Sequence, residues 1–344
     1  MPINSKTKKS FSLCHFLFDE DHHFHYGYFL YASAIMAKLD PTFIDRFGVH
    51  VDAIYRDIAH SSNGNSREDE HDNVFFPMSR HKSWFDGHSF ATGLFQFGNG
   101  KSQESSSESI NCYYGAYMWS LVRHNEVASD VTDFSHLLLS TEIRSTKMYW
   151  HMLPQNTSLH PHLYPPEFEE NYMVGNVGML DMTANTWFGN DVLYVHMINA
   201  IPITAVSNLL FETDYVKYEY PFLMNGRQNV EMAWRGYTVS MHSMFDPNKA
   251  WEDASALVSN QLDSALSKSQ VLYFITQQRG FNRTSGSSDS SEQRINSSSS
   301  SFKKTDSQSI SSSSCENNPN CAELDLRGEC CPSTVGVFLG CCSR

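Results

Sequence analysis

Two short stretches of the chain concentrate carboxylates beside hydroxyl, imidazole and aromatic groups: Asp21-His22-His23-Phe24-His25-Tyr26-Gly27 and Gly100-Lys101-Ser102-Gln103-Glu104-Ser105-Ser106-Ser107-Glu108. That inventory suits cleavage of a glycosidic bond. One carboxylic acid protonates the bridging oxygen, a second carboxylate activates water from the opposite face of the sugar, and aromatic faces hold the ring between them. Glu104 and Glu108 are four positions apart, so a helix would set their Cβ atoms about 5–6 Å from each other. Like charges that close raise the pKa of at least one, which is useful chemistry. The competing reading is a solvated acidic helix face, and the flanks Gln103, Asn111, Cys112, Tyr113 and Tyr114 speak against it because they are not those of a lysine-rich surface. Asp21 and His25 share the same four-residue spacing, which lets imidazole and carboxyl interact directly or through a substrate oxygen. A metal site built on His22, His23, His25 and an acid is the weaker alternative, since adjacent histidines on a helix cannot face one ion. A satisfied core histidine is the competing reading for each of them.

Helices must position these groups. The stretch 22–40 is apolar and alanine-containing and predicts a buried helix that stops before Pro41. A second helix is expected over 49–59, then a polar surface loop over 61–73 and irregular Gly- and Phe-rich connections over 75–100. The pattern over 104–123 predicts a helix with Ser102 as its N-cap and acids in its first turns. Further helices are expected over 128–149, 192–206, 230–245 and 248–267, the last opened by Asp246-Pro247. Strand signals are few, so the body is mainly α, with long loops gathered at one end of its helices.

The 344 residues carry a formal charge of −13, and the basic residues form no run longer than a pair such as Lys8-Lys9. Attraction to nucleic acid or to an anionic membrane surface is therefore disfavoured. No stretch approaches the apolar length of a membrane span. The segment 1–18 imitates a signal peptide, but its apolar core is short and interrupted by His15, and no small-residue cleavage site precedes Asp19. Between 279 and 314 the composition collapses to serine, a linker that buries too little surface to fold. The tail 315–344 holds Cys315, Cys321, Cys330, Cys331, Cys341 and Cys342, six of the eight cysteines. That density predicts a small disulfide-rich module made in oxidising surroundings; a zinc knuckle fits less well, because the spacings lack C-x2-C pairs. Sequons at Asn156, Asn282 and Asn296 agree with such surroundings.

The motif Asp21-His22-His23-Phe24-His25-Tyr26-Gly27-Tyr28, followed by Trp84-Phe85-Asp86-Gly87-His88-Ser89, the Gly100 to Glu108 motif, Trp187-Phe188-Gly189 and His196-Met197-Ile198-Asn199-Ala200-Ile201-Pro202, resembles the signature of glycoside hydrolase family 81, the endo-1,3-β-glucanases. The likeness runs over 21–273 and through the cysteine tail, and is strongest to plant members, which include β-glucan elicitor-binding proteins. It implies an inverting hydrolase with an (α/α)6 barrel over 19–278, here incomplete. Asp21 matches the general acid, Glu104 the general base, Glu108 a further acid needed for activity and His25 a supporting histidine. Tyr26, Trp84, His88, Gln103, Tyr114 and Trp187 are the candidate substrate-binding residues, and no cofactor or metal is required. The partner is a 1,3-β-glucan in an extracellular or cell-wall setting. Family members carry a β-sandwich and several barrel helices ahead of the first motif, so this chain is expected to be truncated, with 1–18 foreign to the family. A second reading is glucan recognition without turnover, reporting to a defence receptor.

Overall fold

The computed structural model of the protein describes residues 22–61, 76–91, 100–124, 129–158, 160–225, 232–282 and 314. The chain divides into two units, 1–281 and 282–344. The expected serine-rich link, apart from its first few residues and Ser314, and the cysteine tail lie outside the described residues. So does Asp21.

Helix α1 (His22–Leu39) is apolar nearly all round. It buries Phe24, Leu30, Ala34 and Ala37 while leaving Phe29, Ile35, Met36 and Leu39 exposed. It ends before Pro41, as the sequence predicts. Helix α2 follows at once over Thr42–Ala59 rather than starting at 49. The reason is local: Asp40 Oδ1 accepts from the Thr42 amide at 3.1 Å and from its hydroxyl at 2.7 Å, and Pro41 already has a helical φ. Proline just ahead of a run of helical residues is a start signal as well as a stop.

Helix α3 (Ser106–Arg123) lies against α1 at a distance that only glycine permits. A Cβ on Gly27 would stand 2.5 Å from Cys112 Cα, and one on Gly115 would stand 2.8 Å from the Gly27 carbonyl oxygen. The outer end of α3 is tied to α2, with Trp119 Nε1 and Arg123 Nε both donating to Asp52. Helix α4 (Asp130–Tyr149) is capped by Ser129, which accepts from the Thr132 amide, and buries Leu138, Leu139 and Glu142 against α3.

A small antiparallel sheet links the two halves of the described body, in the order β1 (Ser102–Gln103), β2 (Asn176–Gly178), β3 (Met182–Thr183), with Gln103 opposite Val177. The short helices α5 (Pro166–Glu169), α6 (Val192–Ile198) and α7 (Ser207–Leu210) precede α8 (Thr213–Met224), α9 (Arg235–Ser243), α10 (Pro247–Ala256) and α11 (Lys268–Thr276). The helix expected over 192–206 stops at Ile198, short of Pro202, which has no N–H to continue the ladder, and α7 starts only at Ser207, beyond the expected end. The run expected over 248–267 stops at Ala256, since Leu257 and Val258 are extended, and α8 and α11 emerge where no helix was expected. Buried His196 on α6 pairs with buried Glu219 on α8 at 2.7 Å. The described body is mainly helical, and among its residues no helix is long and apolar enough to cross a membrane.

Candidate active site

The expectation that Glu104 and Glu108 share a helix face is corrected. Ser102 and Gln103 are strand, Glu104 sits at a bend, and α3 begins only at Ser106. Its first turn is held from outside. Asn199, just past α6, accepts from the Ser106 amide at 3.0 Å and from the Ser106 hydroxyl at 2.9 Å. Ser105 Oγ donates to the Ile198 carbonyl at 2.7 Å, and Ser107 Oγ donates to the Ile201 carbonyl. The distant Asn199 therefore satisfies one N–H that a helix start leaves open, while the three serine hydroxyls donate back to Asn199 and to the Ile198 and Ile201 carbonyls and tie the turn to the end of α6. The work of these serines is to seat the acid-bearing turn.

Glu108 lies in that turn and accepts a 2.9 Å hydrogen bond from the Tyr28 hydroxyl of α1. Burial raises its carboxyl above the ordinary glutamate value, and hydrogen bonds from Ser105 and Tyr28 oppose the rise. Burial, and then the Glu108 charge, raises the Tyr28 phenol. Tyr237 of α9 donates to Asp263 at 2.9 Å, and both groups add to the field at Tyr28. The result is a carboxyl and phenol group with no cation among the causes of its shifts.

At the start of α1, His22 stacks on Tyr26 with ring centroids 5.3 Å apart. His22 also faces Asp57 at 3.9 Å, and Asp57 is clamped by Arg80 at 2.7 Å. Burial, then the Asp57 charge, raises the Tyr26 phenol. His25 is half-buried on the same helix. The separation of Asp21 from Glu104 falls outside the described residues.

The proposed sugar contacts divide into two kinds. Trp84 and Trp187 present exposed faces, at 44% and 78% of their surface, beside Phe134 and Phe188 respectively. Tyr114 is half-buried against Tyr31. His88 and Gln103 instead turn inward. The His88 ring meets Trp150 edge-on at 5.0 Å, and Gln103 Nε2 donates to both Ser89 oxygens. They can orient the site's backbone but have no open face for a sugar.

Below the site sits a wholly buried ion pair, Lys82 with Glu142, at 2.8 Å. Neither residue, nor Tyr28, Tyr237, Asp263 or Asp57, was among the sequence candidates. The only sequence signal was their company: Tyr28 closes the first motif, and Lys82 precedes Trp84. Among the described residues no cluster of three or more His, Cys, Asp or Glu could hold a metal ion.

Comparison with known proteins bears on this arrangement. The profile of the Glycosyl hydrolase family 81 C-terminal domain matches residues 7–272, so the similarity reaches into the segment expected to be foreign. Glucan endo-1,3-beta-D-glucosidase 2 of Saccharomyces cerevisiae is 31% identical over 241 residues, which is 67% of this chain and 29% of that protein. The glucan endo-1,3-beta-D-glucosidase of Glycine max is 27% identical, over 74% of this chain and 37% of its own length. A solved family 81 glycoside hydrolase from Clostridium thermocellum superposes with a TM-score of 0.59 at 27% identity, covering 74% of this chain and 34% of that one. The chain spans well under half the length of each of these relatives.

Proposed function

The chain belongs to glycosyl hydrolase family 81, and from that premise we propose that it carries the acid and the base of an inverting endo-1,3-β-glucan hydrolase. Asp21 protonates the glycosidic oxygen and Glu104 takes a proton from the attacking water. Glu108, held by Tyr28, orients that water, and His25 supports the acid. Inversion requires the two working carboxyls to stand about 6.5–9.5 Å apart, so that a water fits between base and anomeric carbon. The substrate is a linear 1,3-β-glucan chain of the kind found in microbial walls, met in an extracellular or cell-wall setting and lying across the exposed faces of Trp84 and Trp187.

One observation carries this reading: a half-buried glutamate with a raised pKa, hydrogen-bonded to Tyr28 of the first motif, in the helical turn that follows Glu104. It concerns a pair of residues that the sequence motifs keep apart and the fold joins.

The test is incubation of the purified chain with linear 1,3-β-glucan, scored for new reducing ends. Asp21→Asn and Glu104→Gln should each abolish hydrolysis while leaving glucan binding within about threefold, because both keep shape and remove proton transfer. Full activity in either variant would overturn the roles. Proton NMR of the first product should show the α anomer; a β anomer first means an enzyme carboxylate is the nucleophile. Binding with no reducing ends would leave recognition as the function.

A further inference from the structure

The buried Lys82–Glu142 pair is built into the site's framework. Glu142 Oε2 takes Lys82 Nζ, and Oε1 accepts from the Ser89 amide at 2.9 Å and the Ser89 hydroxyl at 2.7 Å and shares the Ser109 hydroxyl hydrogen, at 2.8 Å, with the Ser106 carbonyl at 2.7 Å. Lys82 directs its remaining hydrogens to the carbonyls of Gly87 at 2.7 Å and Leu138 at 3.3 Å. Every polar atom of the pair is therefore satisfied, the condition under which a buried charge pair rigidifies its surroundings. Burial alone would raise the Glu142 carboxyl; Lys82 foremost, with His88 and the Ser89 amide, holds it below the ordinary value, so it stays an anion and an acceptor.

From Ser89 the network branches. Its single hydroxyl hydrogen goes to Glu142, which leaves its lone pairs for Gln103 Nε2 at 3.1 Å and His23 Nε2 at 3.2 Å. That arrangement fixes Nε2 as the protonated nitrogen of His23, whose neutral form burial favours. His23 stands two residues after Asp21, Gln103 one before Glu104, and Ser109 one after Glu108. One carboxylate on α4 thus touches, directly or through one hydroxyl, each of the three segments that carry an acid.

We propose that Glu142, with Lys82 as its counter-charge, is a positioning residue that holds these three acid-bearing segments in register. The inference rests on the roles proposed above for Asp21, Glu104 and Glu108. Its alternative is a core ion pair that affects stability alone.

Two double variants of the full chain separate these. Lys82→Met with Glu142→Gln and Lys82→Met with Glu142→Leu are both uncharged and of similar volume, but only the first keeps an acceptor for Ser89 and Ser109. Misplacement by an ångström costs up to about a hundredfold in rate. The leucine variant should therefore lose about ten- to a hundredfold in kcat with KM within about threefold, whereas the glutamine variant stays within about threefold of the parent in both. Equal kcat in the two variants, or a change confined to KM, overturns the proposal. If the parent itself makes no reducing ends, the functional reading fails, and backbone hydrogen exchange on the same proteins still decides the register. Exchange over 22–26 and 102–109 should rise together, by about tenfold or more, in the leucine variant only, with α11 unchanged. No rise there, or an equal rise along the whole chain, overturns it.

Discussion

Glu108 and Glu142 are the same residue type, packed one helix apart, and their carboxyls move in opposite directions. Glu108 is met by a phenol and a serine hydroxyl, so burial prevails and its pKa rises. Glu142 is met by an ammonium group as well as by hydroxyls and an amide, so the charge outweighs burial and its pKa falls. The difference is where the fold places the buried Lys82. Burial without a cation raises one carboxyl, and burial with a cation beside it leaves the other an anion.

The strongest way to break this contrast is to strip Glu142 of its counter-charge. Lys82→Met alone leaves an unpaired carboxylate in the core and should cost about 3–5 kcal/mol in urea unfolding, more than the uncharged double variants lose. A loss below about 1 kcal/mol would show that the pair does not hold the core. Next in size is the seam that lets α1 reach α3. Gly27→Ala forces a methyl group into the Cys112 backbone and should cost about 1–3 kcal/mol or more. Because Tyr28 is the next residue, the same change should pull the phenol off Glu108 and lower turnover beyond what the stability loss explains.

The pH dependence of stability sharpens the comparison, because the two carboxyls contribute with opposite sign. The folded pKa of Glu142 is depressed, so its contribution is present above the ordinary glutamate value and is lost as pH falls through the folded value. The folded pKa of Glu108 is raised, so its contribution is present below the ordinary value and is lost as pH rises through the folded one. Glu108→Gln should therefore flatten the fall in stability on the rising side, by up to about 1.4 kcal/mol per pH unit. His81, lowered to about 3 chiefly by burial, adds a separate acid loss as pH falls from the ordinary histidine value. Thermal midpoints measured from pH 3 to 8 in parent and variant read all of these; identical curves for parent and Glu108→Gln would refute the Glu108 assignment. The smallest effect belongs to Tyr28→Phe. It removes one hydrogen bond at a half-exposed pair, so stability should change by about 1 kcal/mol or less. Because that hydrogen bond opposes the burial shift, the titration of Glu108 should move upward, seen as a displaced limb of the pH–rate profile.

The sequence alone determined the local terms: that this body is mainly helical, that α1 stops at Pro41, that Asp246-Pro247 opens a helix, and that acids stand beside aromatic and imidazole groups in two motifs. Each is set within a few residues by proline geometry, capping chemistry or apolar period. What the sequence could not determine is which groups meet. Glu104 left the helix because Ser102 and Gln103 pair with Val177 and Gly178 and because Asn199 seats the first turn at Ser106. His88 and Gln103 turned inward because Trp150 and Ser89 lie behind them. The pKa of a glutamate likewise depends on whether a tyrosine from α1 or a lysine from a loop arrives beside it. Those are long-range contacts, and a carboxyl's charge state follows from dielectric and neighbours, which no window of sequence contains.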